Sequence, residues 1–320
     1  MHPGIPRRDF LARIGVAAAA SCVPFRLLSS RELLYPPMDL SYFDRPISPA
    51  PSEIHFGYHT ITWGGNDRQA IEDIASLGFP GLQVRSNCIE EFGSAAALRD
   101  LLEKHKLQLV ALSSGGVNID TVQSEELAKH TAHAKFLHDA GGLYLQVTDT
   151  RPKDRTITAA DYKRLGQLLT ELGKRTADLG VPLGYHNHMG TLGEHPEEVD
   201  QILDAADPRY AKLELDVAHY FQGGGDPVKA FQKYSDRLLF LHIKDVERLP
   251  NAADARSSYR FVELGRGQVD LPAVFNAIDK VKFRGWAVVE LDSVPDKART
   301  PKEAALISKK YLEEKLRMSV

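Results

Sequence analysis

Leu238-Leu239-Phe240-Leu241, running directly into His242-Ile243-Lys244-Asp245, and Ala287-Val288-Val289, running into Glu290-Leu291-Asp292, are the two stretches on which the architecture turns. A near-continuous apolar run of this length is the mark of a parallel strand covered on both faces by helices. The same unit recurs in both directions from these runs. Strands are expected at residues 55–62, 81–85, 108–113, 143–148, 183–188, 211–216, 239–244 and 286–291. Amphipathic helices are expected at 68–77, 95–105, 125–140, 159–179, 196–206, 228–234, 271–281 and 301–316, several closed by glycine, as at Gly78, Gly141 and Gly180. Eight alternating units predict a single closed (β/α)8 barrel over residues 53–320. The alternative, an open doubly wound sheet, lacks the Gly-x-Gly-x-x-Gly turn after its first strand that would cradle a dinucleotide. In a barrel the reactive side chains stand at the C-terminal ends of the strands.

Composition agrees with a large folded core. Of 320 residues, 43% are hydrophobic, 26% charged and 8% aromatic, values that exclude a disordered chain or a coiled coil. Cys22 and Cys88 are the only cysteines, so neither a disulfide framework nor a thiolate zinc site can be built, and any metal must be held by His and carboxylates. Six of the 40 Lys+Arg and four of the 43 Asp+Glu lie in residues 1–52, which leaves the rest of the chain with a formal charge of −5. A nucleic-acid binder is expected to carry the opposite sign.

The first 52 residues read differently. Arg7-Arg8-Asp9-Phe10-Leu11 precedes an uncharged, alanine-rich run from Ile14 to Phe25, the pattern of a twin-arginine export signal over residues 1–28. Ala19-Ala20-Ser21-Cys22 is a loose lipidation box with Ala where a larger aliphatic is usual. Residues 29–52, with Pro36, Pro37, Pro46, Pro49 and Pro51 and no periodicity, read as an extended tether. The mature protein is therefore expected in the periplasm or at the envelope, without a transmembrane helix.

Polar and titratable residues gather at the expected strand ends: His59 and Trp63, Arg85, Gln146, His186 and His188, Asp216 and His219, His242 and Lys244, and Glu290. Five of the twelve histidines lie among them. Four successive strands, each offering a His or carboxylate at one end of a barrel, converge on one point, and nitrogen and oxygen ligands without thiolate suit Mn, Co, Fe or Zn. Asp216-x-x-His219 places a histidine where it would support a ligand. Lys244 reads either as a proton-transfer group or as a salt-bridge partner of Asp245 or Glu290. Trp63, rather than Tyr220 or Phe221, is the expected apolar wall for a sugar ring. Gly223-Gly224-Gly225 reads as a hinge or a plain turn, and Gly265-Arg266-Gly267 places Arg266 near the substrate.

Taken in order, Gly184-Tyr185-His186-Asn187-His188-Met189-Gly190, Leu215-Asp216-Val217-Ala218-His219, Leu241-His242-Ile243-Lys244-Asp245, Leu264-Gly265-Arg266-Gly267-Gln268-Val269-Asp270 and Val289-Glu290 resemble the sugar phosphate isomerase/epimerase family of xylose isomerase-like barrels, especially its inosose dehydratase-like branch. The resemblance covers about residues 54–316. It implies one divalent metal ion held by His186, Asp216, His242 and Glu290; within a few residues of these ligands, Glu290, His188 and Lys244 are the candidate bases. His59, Trp63, Arg85, Gln146, His219 and Arg266, at or near the strand ends, are the candidate substrate contacts. Strand five departs from the family: isomerases and epimerases usually have Glu where His186 stands, and two-Glu proton exchange is not available here.

The chemistry expected is removal of a proton next to a ketone, the shared first step of elimination, isomerisation and epimerisation, with a divalent ion stabilising the enolate. A single base favours elimination, and export favours an unphosphorylated keto-sugar, keto-glycoside or keto-inositol. Isomerisation at the same ion and a non-catalytic sugar-binding protein are the alternatives, with self-association left open. An endonuclease of the same barrel superfamily is opposed by the negative charge.

Overall fold

Apolar runs become strands where both faces are buried, and all eight expected runs do so. The computed structural model describes residues 53–249 and 258–320; the expected export segment 1–28 and tether 29–52 lie outside them. Strands β1 (Ile54–His59), β2 (Gly81–Arg85), β3 (Gln108–Asn118), β4 (Tyr144–Thr150), β5 (Leu183–His186), β6 (Ala211–Asp216), β7 (Leu238–Ile243) and β10 (Gly285–Val289) are all parallel and close into one barrel. β10 pairs with both β1 and β7, which completes the ring.

The helices that follow the strands are set by local signals at their starts. Asn66 caps α1 (Asp67–Ser76) through Gln69 N, and Ser94 caps α3 (Ala95–His105) through Ala97 N, each satisfying a backbone donor that the first turn leaves orphaned. Proline opens α6 (Pro196–Ala205), α8 (Pro227–Lys233) and α10 (Pro301–Lys310), where its missing N–H costs nothing. The remaining helices of this ring are α4 (Gln123–Asp139), α5 (Ala159–Ala177) and α9 (Leu271–Lys280).

Several elements depart from expectation. Helices α2 (Asn87–Phe92) and α7 (Val217–Gln222) are too short to show a period, and α7 begins directly after the residue that ends β6. After β7 the chain forms an antiparallel hairpin of β8 (Asp245–Arg248) and β9 (Tyr259–Val262) where no strand was expected. The last helix ends at Lys310 and continues as a π turn over Tyr311–Lys315. No helix among the described residues is long and apolar enough to cross a membrane.

The floor of the barrel interior is apolar. Ala111, Phe240 and Val288, with Val110 and Trp286, form a buried cluster against which Tyr144 packs, its ring stacked 5.2 Å from that of Phe240. Gly184 keeps this floor closed: a Cβ there would sit 3.1 Å from the Phe240 ring. One step up each strand, the inward positions turn polar, and these carry the chemistry.

Candidate metal centre

Asp216 ends β6 and at the same time caps α7. Its Oδ1 accepts from the backbone N–H groups of Ala218 and His219, both at 2.8 Å, while Oδ2 is left without a hydrogen-bond partner. One carboxylate oxygen is thus used up by the backbone, and the other is presented to the barrel axis. Asn187, just past β5, grips the Asp216 backbone from both sides, accepting from its N–H (3.0 Å) and donating to its C=O (3.2 Å). This amide locks the ends of β5 and β6 together.

His242 lies opposite Asp216 in the β6–β7 register. Its Nδ1 is 3.3 Å from Glu290 Oε2 and 3.6 Å from Asp216 Oδ2. The other ring nitrogen, Nε2, faces Gln83 Oε1 at 2.9 Å and Glu214 Oε1 at 2.6 Å. The His186 ring lies 4.8 Å from the His242 ring, with Nδ1 3.7 Å from Glu214 Oε2. The structure therefore brings Asp216, His242 and Glu290 to one buried point, with the His186 ring against that of His242.

Buried side-chain atoms without a hydrogen-bond partner concentrate at this point: His186 Nδ1, Glu214 Oε2, Asp216 Oδ2 and His242 Nδ1, while Glu214 Oε1, 2.6 Å from His242 Nε2, is engaged by that ring. Buried polar atoms left unpaired cost free energy, so such a concentration needs a partner. Overlapping triads of His186, Glu214 and His242, of His59, His242 and Glu290, of Asp216, His219 and Glu290, and of His186, His188 and His219 each place their donor atoms close enough to share an ion. The donors are imidazole and carboxylate, a set that fits a divalent first-row metal.

The electrostatics are those of a dry site. Burial drives His186 and His219 well below the ordinary histidine range and takes His59 down to about 3, so these rings are neutral and can offer lone pairs. Burial opposes protonation of His242 too, but the Glu214 and Glu290 carboxylates outweigh it and raise that ring. Burial raises Glu214 to about 7. Glu290 is pulled well below the usual carboxylate range by His242 and Lys244 against the cost of burial.

Lys244 is fully buried. Its Nζ donates to Glu290 Oε1 (2.7 Å) and Asp292 Oδ1 (2.5 Å), stands 3.2 Å from His219 Nε2, and lies 3.9 Å above the Phe261 ring. Those carboxylates raise it well above the ordinary lysine range, so it is an ammonium ion. Of the two expected salt-bridge partners, Glu290 is engaged and Asp245 is not. Asp245 instead accepts the backbone N–H groups of Val246, Gly265, Gly267 and Val269. This staple holds the Gly265-Arg266-Gly267 turn.

His188 is half-buried, its ring 3.9 Å from that of His219. Its Nδ1 lies 2.7 Å from the Met189 carbonyl, which can only accept, so the ring proton is on Nδ1 and Nε2 carries a free lone pair. By the same logic, His59 Nδ1 accepts from Ile61 N, which puts its proton on Nε2, 3.5 Å from Glu290 Oε2 and 3.1 Å from Ser113 Oγ.

The expected substrate contacts divide. His59 and His219 stand within the cluster, and Gln146 is buried on β4 in register with Ser113. Arg85 ends β2, half-buried, with its Nε unpartnered. Trp63 and Arg266 are tied elsewhere: the Trp63 indole donates to Asp73 at 2.9 Å and packs edge-on to Tyr58, while the half-exposed Arg266 side chain reaches Glu263 at 3.9 Å. The sequence places Asn187 and Asp292 among the polar strand-end residues without giving them a role, and does not single out Gln83, Glu214 or Phe261. For Glu214 a signal existed, since a carboxylate two residues before Asp216 on the same strand must share its inward face.

A closed eight-stranded barrel with a buried His and carboxylate centre at its C-terminal end defines the class. The family model for the xylose isomerase-like TIM barrel matches residues 71–314, and the chain belongs to that family. It is 26% identical over 291 residues to an inosose dehydratase of Lacticaseibacillus casei, covering 81% of this chain and 96% of the relative. It is 27% identical over 275 residues to the rhizopine catabolism protein MocC of Rhizobium meliloti, covering 77% and 83%. Among solved structures, the IolI protein with a bound zinc atom superposes with a TM-score of 0.71 at 20% identity, covering 81% of this chain and 97% of that one.

Proposed function

We propose that the protein is a divalent-metal-dependent lyase that removes a proton beside the ketone of an unphosphorylated keto-sugar, keto-glycoside or keto-inositol and expels a β-leaving group. The observation that carries this reading is the convergence of the unpartnered Asp216 Oδ2 and His242 Nδ1 beside Glu290, with the His186 ring 4.8 Å from that of His242. The enzymatic relatives support it, and inosose dehydratases among them favour elimination. His186, Asp216, His242 and Glu290 would hold a divalent ion, which would supply Lewis acidity for the charge that develops when the α-proton leaves.

The residues around it divide the remaining work. His188 is the base, because its Nε2 lone pair is free while Lys244 keeps its proton and Glu290 is committed to the centre. The imidazolium formed then returns the proton to the departing oxygen on the same face. Lys244 contributes fixed positive charge that a buried site does not screen. Arg85, Gln146 and His59 offer donors and acceptors to sugar hydroxyls. With His186 at the end of β5, an imidazole stands where the second carboxylate of a two-Glu exchange would be, which disfavours proton exchange on two faces.

Two measurements test the proposal. Asp216→Ala and His242→Ala are expected to lose stoichiometric divalent metal while keeping the barrel's circular dichroism; full metal content in both would remove the centre from the argument. Wild-type enzyme incubated with 3-keto-glycosides or inosose in deuterated water is expected to release aglycone or give an unsaturated product. Deuterium in an intact, isomerised sugar would make the protein an isomerase instead.

A further inference from the structure

Two kinds of short contact surround His242, and their lengths separate their roles. Two ligand atoms sharing one four-coordinate ion at ordinary ligand distances stand roughly 3.3 Å apart. His242 Nδ1 meets Glu290 Oε2 at 3.3 Å and Asp216 Oδ2 at 3.6 Å, the spacing of atoms around a common ion. On the other side of the ring, Nε2 meets Glu214 Oε1 at 2.6 Å, too close for two ligands and right for a charge-assisted hydrogen bond. The Nε2–H direction is shared with Gln83 Oε1 at 2.9 Å, so Nε2 is bracketed by two acceptors and must carry the proton. Glu214 is fully buried, and its second oxygen turns toward His186 Nδ1 at 3.7 Å. In the β5–β6 register it stands beside His186, and along β6 it lies two residues below Asp216 on the same inward face.

We propose that Glu214 is the positioning carboxylate of the centre: it lies beneath the His186 and His242 rings, holds the His242 proton on Nε2, and so turns the Nδ1 lone pair toward Asp216 and Glu290. Without it, the ring is free to rotate or to carry its proton on Nδ1, and the donor set is incomplete. A carboxylate in this relation to a ligand histidine fixes tautomer and ring orientation and raises the basicity of the ligating nitrogen. The inference rests on the metal-centre reading.

The experiment is a Co2+ titration of the full chain, followed by visible absorption, for wild type, Glu214→Gln, Glu214→Ala and Asp216→Ala. The near-isosteric Gln keeps an acceptor but loses the charge. It is expected to weaken Co2+ binding roughly tenfold, and Ala roughly a hundredfold, with the absorption envelope and one-ion stoichiometry unchanged. The melting temperature of the metal-free Gln variant should match wild type. Wild-type affinity in both Glu214 variants, with Asp216→Ala losing the ion, would overturn the positioning role and leave the centre intact. An altered absorption envelope in Glu214→Gln would make Glu214 a ligand and overturn the role as stated. A large loss of metal-free stability in the Gln variant would make Glu214 a fold residue. If Asp216→Ala binds Co2+ like wild type, the metal centre itself is wrong.

Discussion

Lys244 shows how one buried cation organises several charges. Glu290 and Asp292 both accept from it, and the Phe261 ring covers it, so its removal leaves a buried carboxylate without compensation. Breaking such a pair costs about 3–5 kcal/mol, and because Asp292 is about one-third exposed, the lower end applies here. Lys244→Met is therefore expected to destabilise the metal-free protein by about 3 kcal/mol in urea unfolding, with part recovered in Lys244→Met/Asp292→Asn. An unchanged midpoint in the single variant would mean that water already solvates these carboxylates. The same geometry explains why lysine at this position is not a base: the two carboxylates that make burial tolerable also hold the proton.

Between residue and barrel stands the pairing of α4 with the end of β3. The register of β3 against β4 shifts between Ser113 and Gly116, and past that point the strand is held from α4. Ser114 Oγ lies 2.5 Å from His130 Nδ1 and 2.7 Å from His133 Nδ1, while Glu126 Oε2 accepts from Asn118 N at 3.0 Å and stands 3.3 Å from His130 Nε2. Burial lowers His130 to about 4, so it is neutral in the folded protein. In the unfolded chain it returns to about 6.5 and takes up a proton first. Stability is therefore full above about pH 6.5, falls as pH drops toward about 4, and changes little through this group below that. Wild type is expected to lose about 2–3 kcal/mol more than His130→Gln between pH 7 and pH 4.5. Urea midpoints at the two pH values measure it, and parallel losses would show that this clamp does not report on pH.

For the molecule as a whole, the net negative charge, the closed barrel and the paired arginines bear on where it works. We propose that the chain is exported by the twin-arginine route and acts in the periplasm or at the envelope, a reading that rests on Arg7-Arg8 and the apolar run after them. That route carries proteins already folded, which lets a divalent ion enter the barrel before transport. Replacing Arg7-Arg8 by Lys-Lys is expected to trap the protein in the cytoplasm, scored by fractionation and immunoblotting. Unchanged export would refute the reading. An envelope location also fits a substrate without phosphate.

Periodicity along the chain was enough to specify eight parallel strands, their order and the end of the barrel at which His186, Asp216, His242 and Glu290 collect, because a strand buried on both faces admits few residues other than apolar ones and interrupts them only where chemistry needs it. The short α2 and α7 and the β8–β9 hairpin left no such trace, since a six-residue helix or four-residue strand draws its stability from what it packs against. Trp63 and Arg266 carry the right chemistry in the right region, yet Asp73, ten residues on in the chain, and Glu263, three residues back, claim them. Gln83 and Asp292 became part of the centre only through tertiary contact, and strand period gave the inward face of Glu214 but not its role: which atom of His242 faces a carboxylate at hydrogen-bonding distance, and which faces the axis, depends on ring rotation inside a closed barrel, and no pattern along the chain encodes that angle.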